Sequence, residues 1–379
     1  MNLVNRERVL EDFLALVRID SESGREGLMR DYLKSRLEAL GLSVFEDNAG
    51  QALGGESGNL VAWKDGELPG PSIFFGAHMD TVVPGTGVNP VVEEGVVHSA
   101  GDTILGADDK AGIVAILEVL QVLQENKVPH VPLEIIFTVS EEQGLMGAKH
   151  LDFDRVRSKL GYVLDSDGPV GTIIVQGPTQ NEFEIEVLGK AAHAGMNPED
   201  GINAITVAAY AINHLEIGRI DEETTCNLGM INGGRARNIV ADKVVIKGEA
   251  RSLNPAKLDR LTEKIVTVFK ERVEEKGGRC ESRVTHLYPM ISLDPGEPVV
   301  QIAVKAARAL GREPVLTKTG GGSDANIING HGIRCANLGV GMRMVHTQEE
   351  YIQVDDLVDT ARYLLRIIEE AGRFSHDGN

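Results

Sequence analysis

Between residues 5 and 40, apolar residues recur at helical spacing: Val9, Phe13, Leu16 and Val17, then Leu28, Tyr32, Leu33 and Leu37. Gly41 supplies a C-terminal stop to the second of these helices. Three later apolar runs, 72–77, 133–139 and 161–164, are too short for helices and predict buried strands. Between the first two lies 110–125, apolar on most sides through Ile113, Val114, Ile116, Leu117, Leu120 and Leu123, which predicts a buried helix. Strand–helix–strand alternation of this kind predicts an α/β fold whose sheet is at least partly parallel.

The pattern changes after Gly177-Pro178. Residues 182–188 alternate strictly between polar and apolar, as a strand with one wet face does. A helix over 202–215, strands over 228–231 and 244–250, a long helix over 258–275 and a strand over 279–287 complete an α+β unit with an antiparallel sheet. From about Glu297 the α/β texture returns, with a helix through Leu310, a strand over 334–338 and a closing helix over 355–370. The expectation is a doubly wound, mixed but mostly parallel sheet domain formed by 1–178 and 291–379, interrupted by an inserted domain over 179–290.

Length supports that division, since 379 residues exceed one ordinary core. The apolar content of 42% and charged content of 25% are those of a soluble globular protein. A net charge of −19 argues against a nucleic-acid or anionic-membrane partner. The first residues carry no basic-then-apolar signal pattern, and no apolar stretch approaches the roughly 18–20 residues of a membrane span. Cys226, Cys280 and Cys335 are widely spaced and read as ordinary buried thiols in a reducing, cytoplasmic setting.

The chemistry collects where strands end. Glu141-Glu142 follows the 133–140 run and precedes Gln143-Gly144. Adjacent carboxylates leaving a buried strand repel each other and lose hydration unless cations compensate. Taken alone, such a pair is most often a solvated loop. Other strand and turn ends repeat the theme: His78-Met79-Asp80, Asp108-Asp109 before the buried helix, and Asp165 after 161–164. On a strand, His78 and Asp80 share a face, so Asp80 or the backbone beyond it can orient an imidazole that binds metal. One aspartate of the 108–109 pair suffices to cap the helix, which leaves the other for the cleft. Oxygen-rich ligation with a few imidazoles suits zinc, manganese or cobalt. Gly320-Gly321-Gly322-Ser323-Asp324 lacks the spacing of a phosphate loop and precedes no helix in that register, so backbone approach to a small substrate is the better reading.

Three strings, Gly76-Ala-His78-Met-Asp80-Thr, Leu105-Gly-Ala-Asp108-Asp-Lys-Ala-Gly112 and Ser140-Glu141-Glu142-Gln-Gly-Leu-Met-Gly147, together resemble the di-zinc exopeptidases that include peptidase T, carboxypeptidase G and aminoacylase, most closely the peptidase T-like tripeptidases. The resemblance runs from His78 to His346. It implies one zinc held by His78, Asp165 and Asp108, and a second held by Asp108, Glu142 and His346, with cobalt or manganese as alternatives. It further implies Glu141 as general base for a zinc-activated water and Asp80 as the partner that orients His78. Asp167 competes with Asp165, which directly ends its strand. In the inserted domain, which the resemblance makes a lid and dimerisation domain, His193 would stabilise the oxyanion in cis or from a second subunit. Asn238 and Arg251 would bind substrate, Arg251 as a fork for a peptide carboxylate, with Gly321 and Gly322 beside it. Histidines 98, 130, 150, 214, 286, 331 and 376 lack such context and read as structural or surface residues.

The implied activity is release of the N-terminal residue from tripeptides by a cytoplasmic homodimer. A deacylase or carboxypeptidase would use the same ligands, and a non-catalytic metal-binding protein of this fold is the remote alternative.

Overall fold

The computed structural model describes residues 3–374 and divides into two compact units. One comprises the chain up to Gln176, Ser292–Thr319 and the chain from Ser323; the other comprises Gly177–Ile291 with Gly320–Gly322.

At the centre of the first unit, strands Leu133–Thr138, Ile73–His78, Leu160–Ser166 and Arg334–Gly339 are hydrogen-bonded side by side, all parallel. The α/β expectation therefore holds. Every residue of Ile73–His78 and of Leu133–Thr138 is buried, the pattern of strands covered on both faces. Glu134 sits within this apolar layer because its carboxylate accepts the Trp63 indole N–H and the amides of Arg157 and Ser158. The sheet continues antiparallel through Leu60–Lys64 to Ser43–Glu46, and on the other side through Thr172–Gly177, which Val315–Lys318 joins in parallel.

The helix expected over 110–125 spans Ala107–Asn126 and is buried along most of its length. It packs on strands Ile73–His78 and Leu160–Ser166 and against helices Arg6–Val17 and Val354–Phe374. Truncating one of its core leucines, such as Leu117, would cost about 2–5 kcal/mol by transfer and cavity terms. Helix Pro298–Ala309 packs against Val354–Phe374 and completes the layer.

The second unit is a five-stranded antiparallel sheet in the order Gly218–Asp221, Thr224–Gly233, Lys243–Ser252, Thr179–Leu188, Arg279–Tyr288. Helices Ala204–Ile212 and Pro255–Glu275 cover it over a core that includes Phe183, Ile185, Val187, Ile246, Ile265 and Phe269. The first helix starts later than its apolar pattern because the Asn203 side chain accepts the Ile205 and Thr206 amides as an N-cap.

Two expectations are corrected. The Gly320–Gly322 run does lead into a helix, Asp324–Gly330, opened by a Ser323/Asn326 capping box. Cys280 is half-exposed, whereas Cys226 and Cys335 are buried; all three thiols are free. Among the described residues, no helix is long and apolar enough to cross a membrane.

Candidate metal centre

The parallel strands carry polar residues at their carboxyl ends, the side on which open α/β sheets receive ligands. His78 is the last residue of its strand. Its Nδ1 donates to the Asp80 backbone carbonyl at 2.9 Å, which leaves Nε2, 3.0 Å from Asp108 Oδ1, as the nitrogen free to coordinate. The Asp80 carboxylate is farther from that ring, at 3.5 Å, and has another task. Its oxygens accept the Glu141 amide (3.0 Å), the Glu142 amide (3.2 Å) and the Ser23 hydroxyl (2.7 Å). Ser140 turns the chain through a left-handed conformation (φ +49°), and the Glu26 carboxylate receives both its amide and its hydroxyl. The Glu141-Glu142 turn is thus gripped from Asp80 and from Glu26.

The two aspartates ahead of the buried helix separate as their chemistry requires. Asp109 accepts the Gly112 amide as a cap and the His78 amide, while Asp108 faces both His78 and His346. The loop before them is held by buried Glu350, which accepts the amides of Leu105 (2.8 Å), Gly106 (2.7 Å) and Asp108 (3.0 Å). His346 Nε2 lies 2.9 Å from Glu142 Oε1 and 3.2 Å from Asp108 Oδ2. Asp165 is held through its backbone by Asn337, which donates to its carbonyl and accepts its amide.

Three sets of donor atoms lie within 4.8 Å of one another: His78, Asp108 and Asp165; Asp108, Glu142 and His346; and His78, Glu141 and Glu142. The first two sets share Asp108. Asp165 is in the cluster; Asp167 is exposed, and its backbone carbonyl accepts from Arg343.

Electrostatics show a surplus of carboxylate. Burial opposes the charge on Asp108, yet its two histidines outweigh burial and hold its carboxyl below the usual range. Burial likewise opposes protonation of His78, but Asp108 and Asp80 outweigh it and raise its pKa well above that of a free imidazole. The His346 pKa is raised to about 10 through its hydrogen bonds to Asp108 and Glu142. Two imidazoles do not neutralise the remainder. Burial, with Asp108 and Glu141 as neighbours, pushes Asp165 well up, and burial, with Asp324 and Glu142 nearby, does the same to Glu141. An anionic, water-poor cluster of carboxylate and imidazole donors without thiolate fits divalent cations.

In the second unit, exposed His193 accepts the Gly195 and Met196 amides at Nδ1, which leaves Nε2 as the N–H donor. Asn238 is adjacent: its carbonyl receives the Ala194 amide. The Arg251 fork pairs with both oxygens of Glu249, and its remaining nitrogen reaches the Gly320 carbonyl at 3.3 Å. Gly322 must lack a side chain because a Cβ there would overlap the Tyr288 ring; Gly321 is exposed beside it. Of the remaining histidines, His130 is buried and bonded to the Val131 carbonyl, His331 stacks on Phe153, and His376 lies outside the described residues.

Fold and cluster together define a two-unit α/β protein with a candidate two-cation centre. The chain belongs to peptidase family M20/M25/M40, whose family model matches residues 74–370. It is 48% identical over 371 residues to an uncharacterized protein, YqjE, of Bacillus subtilis (strain 168), covering 98% of this chain and 100% of that protein. It is similar to the crystal structure of aminopeptidase PepT from Bacillus cereus ATCC 10987 (45% identity, TM-score 0.91, covering 97% and 99% of the two chains). A tripeptidase from Staphylococcus aureus subsp. aureus mu50 is 42% identical with a TM-score of 0.95, covering 98% and 100%.

Proposed function

We propose that this chain is a two-zinc exopeptidase that releases the N-terminal residue of tripeptides and other short peptides. The observation that carries the reading is the pair of donor sets sharing Asp108, with Glu141 in a third set against them. The similarity to an aminopeptidase and a tripeptidase along almost the whole chain supports the substrate class.

Bound divalent cations supply Lewis acidity toward a peptide carbonyl and toward water. His78, Asp165 and Asp108 would hold one, and Asp108, Glu142 and His346 the other. Glu141 then takes the proton of the attacking water and passes it to the nitrogen of the leaving amine. Its burial raises the proton affinity that such a shuttle needs. His193, an N–H donor at Nε2, serves the oxyanion. Arg251 binds the peptide carboxylate, with Asn238, Gly321 and Gly322 as further substrate contacts. The reading takes the enzyme to be a cytoplasmic homodimer; free thiols without a disulfide support a reducing compartment.

A panel of tripeptides, dipeptides, N-acyl amino acids and C-terminally blocked peptides, assayed before and after chelation, tests the proposal. Chelator-sensitive cleavage that is fastest on free tripeptides is the expected result. Turnover restricted to N-acyl amino acids would favour a deacylase instead, and no turnover at all would leave a binding protein.

A further inference from the structure

A cavity of about 330 Å³ adjoins Glu142 within the first unit, lined also by Glu22, Ser23, Arg25 and Thr81. Its wall is built by a short parallel pairing next to the metal-centre strand. The Thr81 amide donates to the Ser21 carbonyl at 3.0 Å, and the Ser23 amide donates to the Thr81 carbonyl at 3.3 Å. That pairing sets Glu22 opposite Thr81, the residue after Asp80.

The polar atoms here are acceptors in search of a donor. Glu22 Oε1 accepts the Gly85 amide at 2.9 Å, and among the described residues Oε2 has no such commitment. Thr81 is 1% exposed, yet its Oγ1 has no hydrogen-bond partner, a costly state for a buried hydroxyl. Ser23 gives its proton to Asp80 and so presents only lone pairs. One carboxylate oxygen and the Ser23 hydroxyl oxygen offer acceptors for two N–H bonds of a primary ammonium, whereas Thr81 Oγ1 is closed off from solvent. Arg25, the one cation in the lining, is exposed to solvent.

We infer that this cavity receives the free α-ammonium of the substrate, with Glu22 as its counter-ion. The inference rests on the exopeptidase reading and deepens it. Removing an N-terminal residue places its ammonium one Cα from the scissile carbonyl of the same residue, where two bound cations would repel it. Glu142 is committed to ligation, and Glu22 is the carboxylate left to offset that repulsion. An N-acylated substrate brings no charge and gains nothing from Glu22, so the cavity selects peptides with a free N-terminus.

The test compares kcat/KM for Ala-Ala-Ala and N-acetyl-Ala-Ala-Ala in the metal-loaded protein and in Glu22→Gln, which keeps an acceptor for Gly85. The natural chain should prefer the free peptide. Glu22→Gln should lower kcat/KM for it by about 10- to 100-fold, mainly through KM, as loss of one charge-assisted hydrogen bond does. The acetylated peptide, metal content and melting temperature should not change. Equal losses on both substrates, or no loss on the free one, would overturn the role of Glu22. A preference of the natural chain for the free peptide that Glu22→Gln leaves unchanged would overturn the inference while leaving the exopeptidase reading intact; cleavage of neither peptide would end both.

Discussion

His78 and His346 address the two oxygens of one carboxylate, Asp108, from differently built halves of the centre. His78 ends a buried strand, is 2% exposed, and has its ring set by the Asp80 carbonyl. His346 stands on a loop in the left-handed region (φ +62°), with its side chain 51% exposed. A sheet positions the first half before any ligand arrives. The second depends on a loop whose anchor is Glu350, four residues on, clasping the amides of the Asp108 loop. The contrast teaches that preorganisation here is unequal, so the two cation positions should differ in affinity, with the His346 position the weaker.

The largest test of that contrast is Asp108→Ala, which removes the shared ligand. Both positions should empty and activity should fall to the uncatalysed level; a chain that still holds one cation tightly by elemental analysis would deny the sharing. Next come the two histidines taken separately. His346→Ala should leave one tightly held cation after dialysis, whereas His78→Ala should disturb both positions through Asp108. Equal losses would erase the distinction between the halves. Smaller is the effect of the supports: Asp80→Asn should cost about 10- to 100-fold in activity or metal affinity, because one side-chain oxygen cannot accept the Glu141 and Glu142 amides and the Ser23 hydroxyl as the carboxylate does. Calorimetric titration with the metal reads this directly, and an unchanged isotherm with unchanged turnover would remove Asp80 from the account.

The smallest effect is a proton count. In the metal-free chain, the raised pKa of His346, about 10, means its ion pairs contribute stability fully below the unfolded value near 6.5 and lose it as pH rises through about 10. Ligation needs the neutral ring, so cation uptake at pH 8 should expel this proton, and affinity should increase as pH rises toward 10. Calorimetry in buffers of different ionisation enthalpy measures the release; none would mean that His346 is not a ligand.

The strongly periodic and fully buried segments were legible in the chain: the helix 107–126, the strands ending at His78, Thr138 and Ser166, and the alternating strand before Leu188. Their ends also pointed to the donors that the fold brings together, because a polar residue closing an apolar run has few structural reasons to be there. Short edge strands such as Ser43–Glu46 were not legible, since four residues carry too little pattern. Neither were the supports. Ser23, Glu26 and Glu350 bond to groups 57, 114 and more than 240 positions away, and local sequence holds no trace of those partners. Glu350 lies four residues after His346, but an exposed acidic loop explains Gln348-Glu349-Glu350 equally well until its burial is seen. The glycine run before Asp324 obscures the helix that follows, whose start is marked instead by Ser323 and Asn326, which cap it reciprocally.

The central claim is that the paired glutamates divide their labour, Glu142 holding a cation and Glu141 moving a proton. Glu141→Gln tests it most directly, by turnover and metal content measured on the same preparation. The account predicts a loss of about 100- to 10,000-fold in kcat with two cations per chain retained. Near-normal turnover, or loss of a cation along with activity, would contradict it.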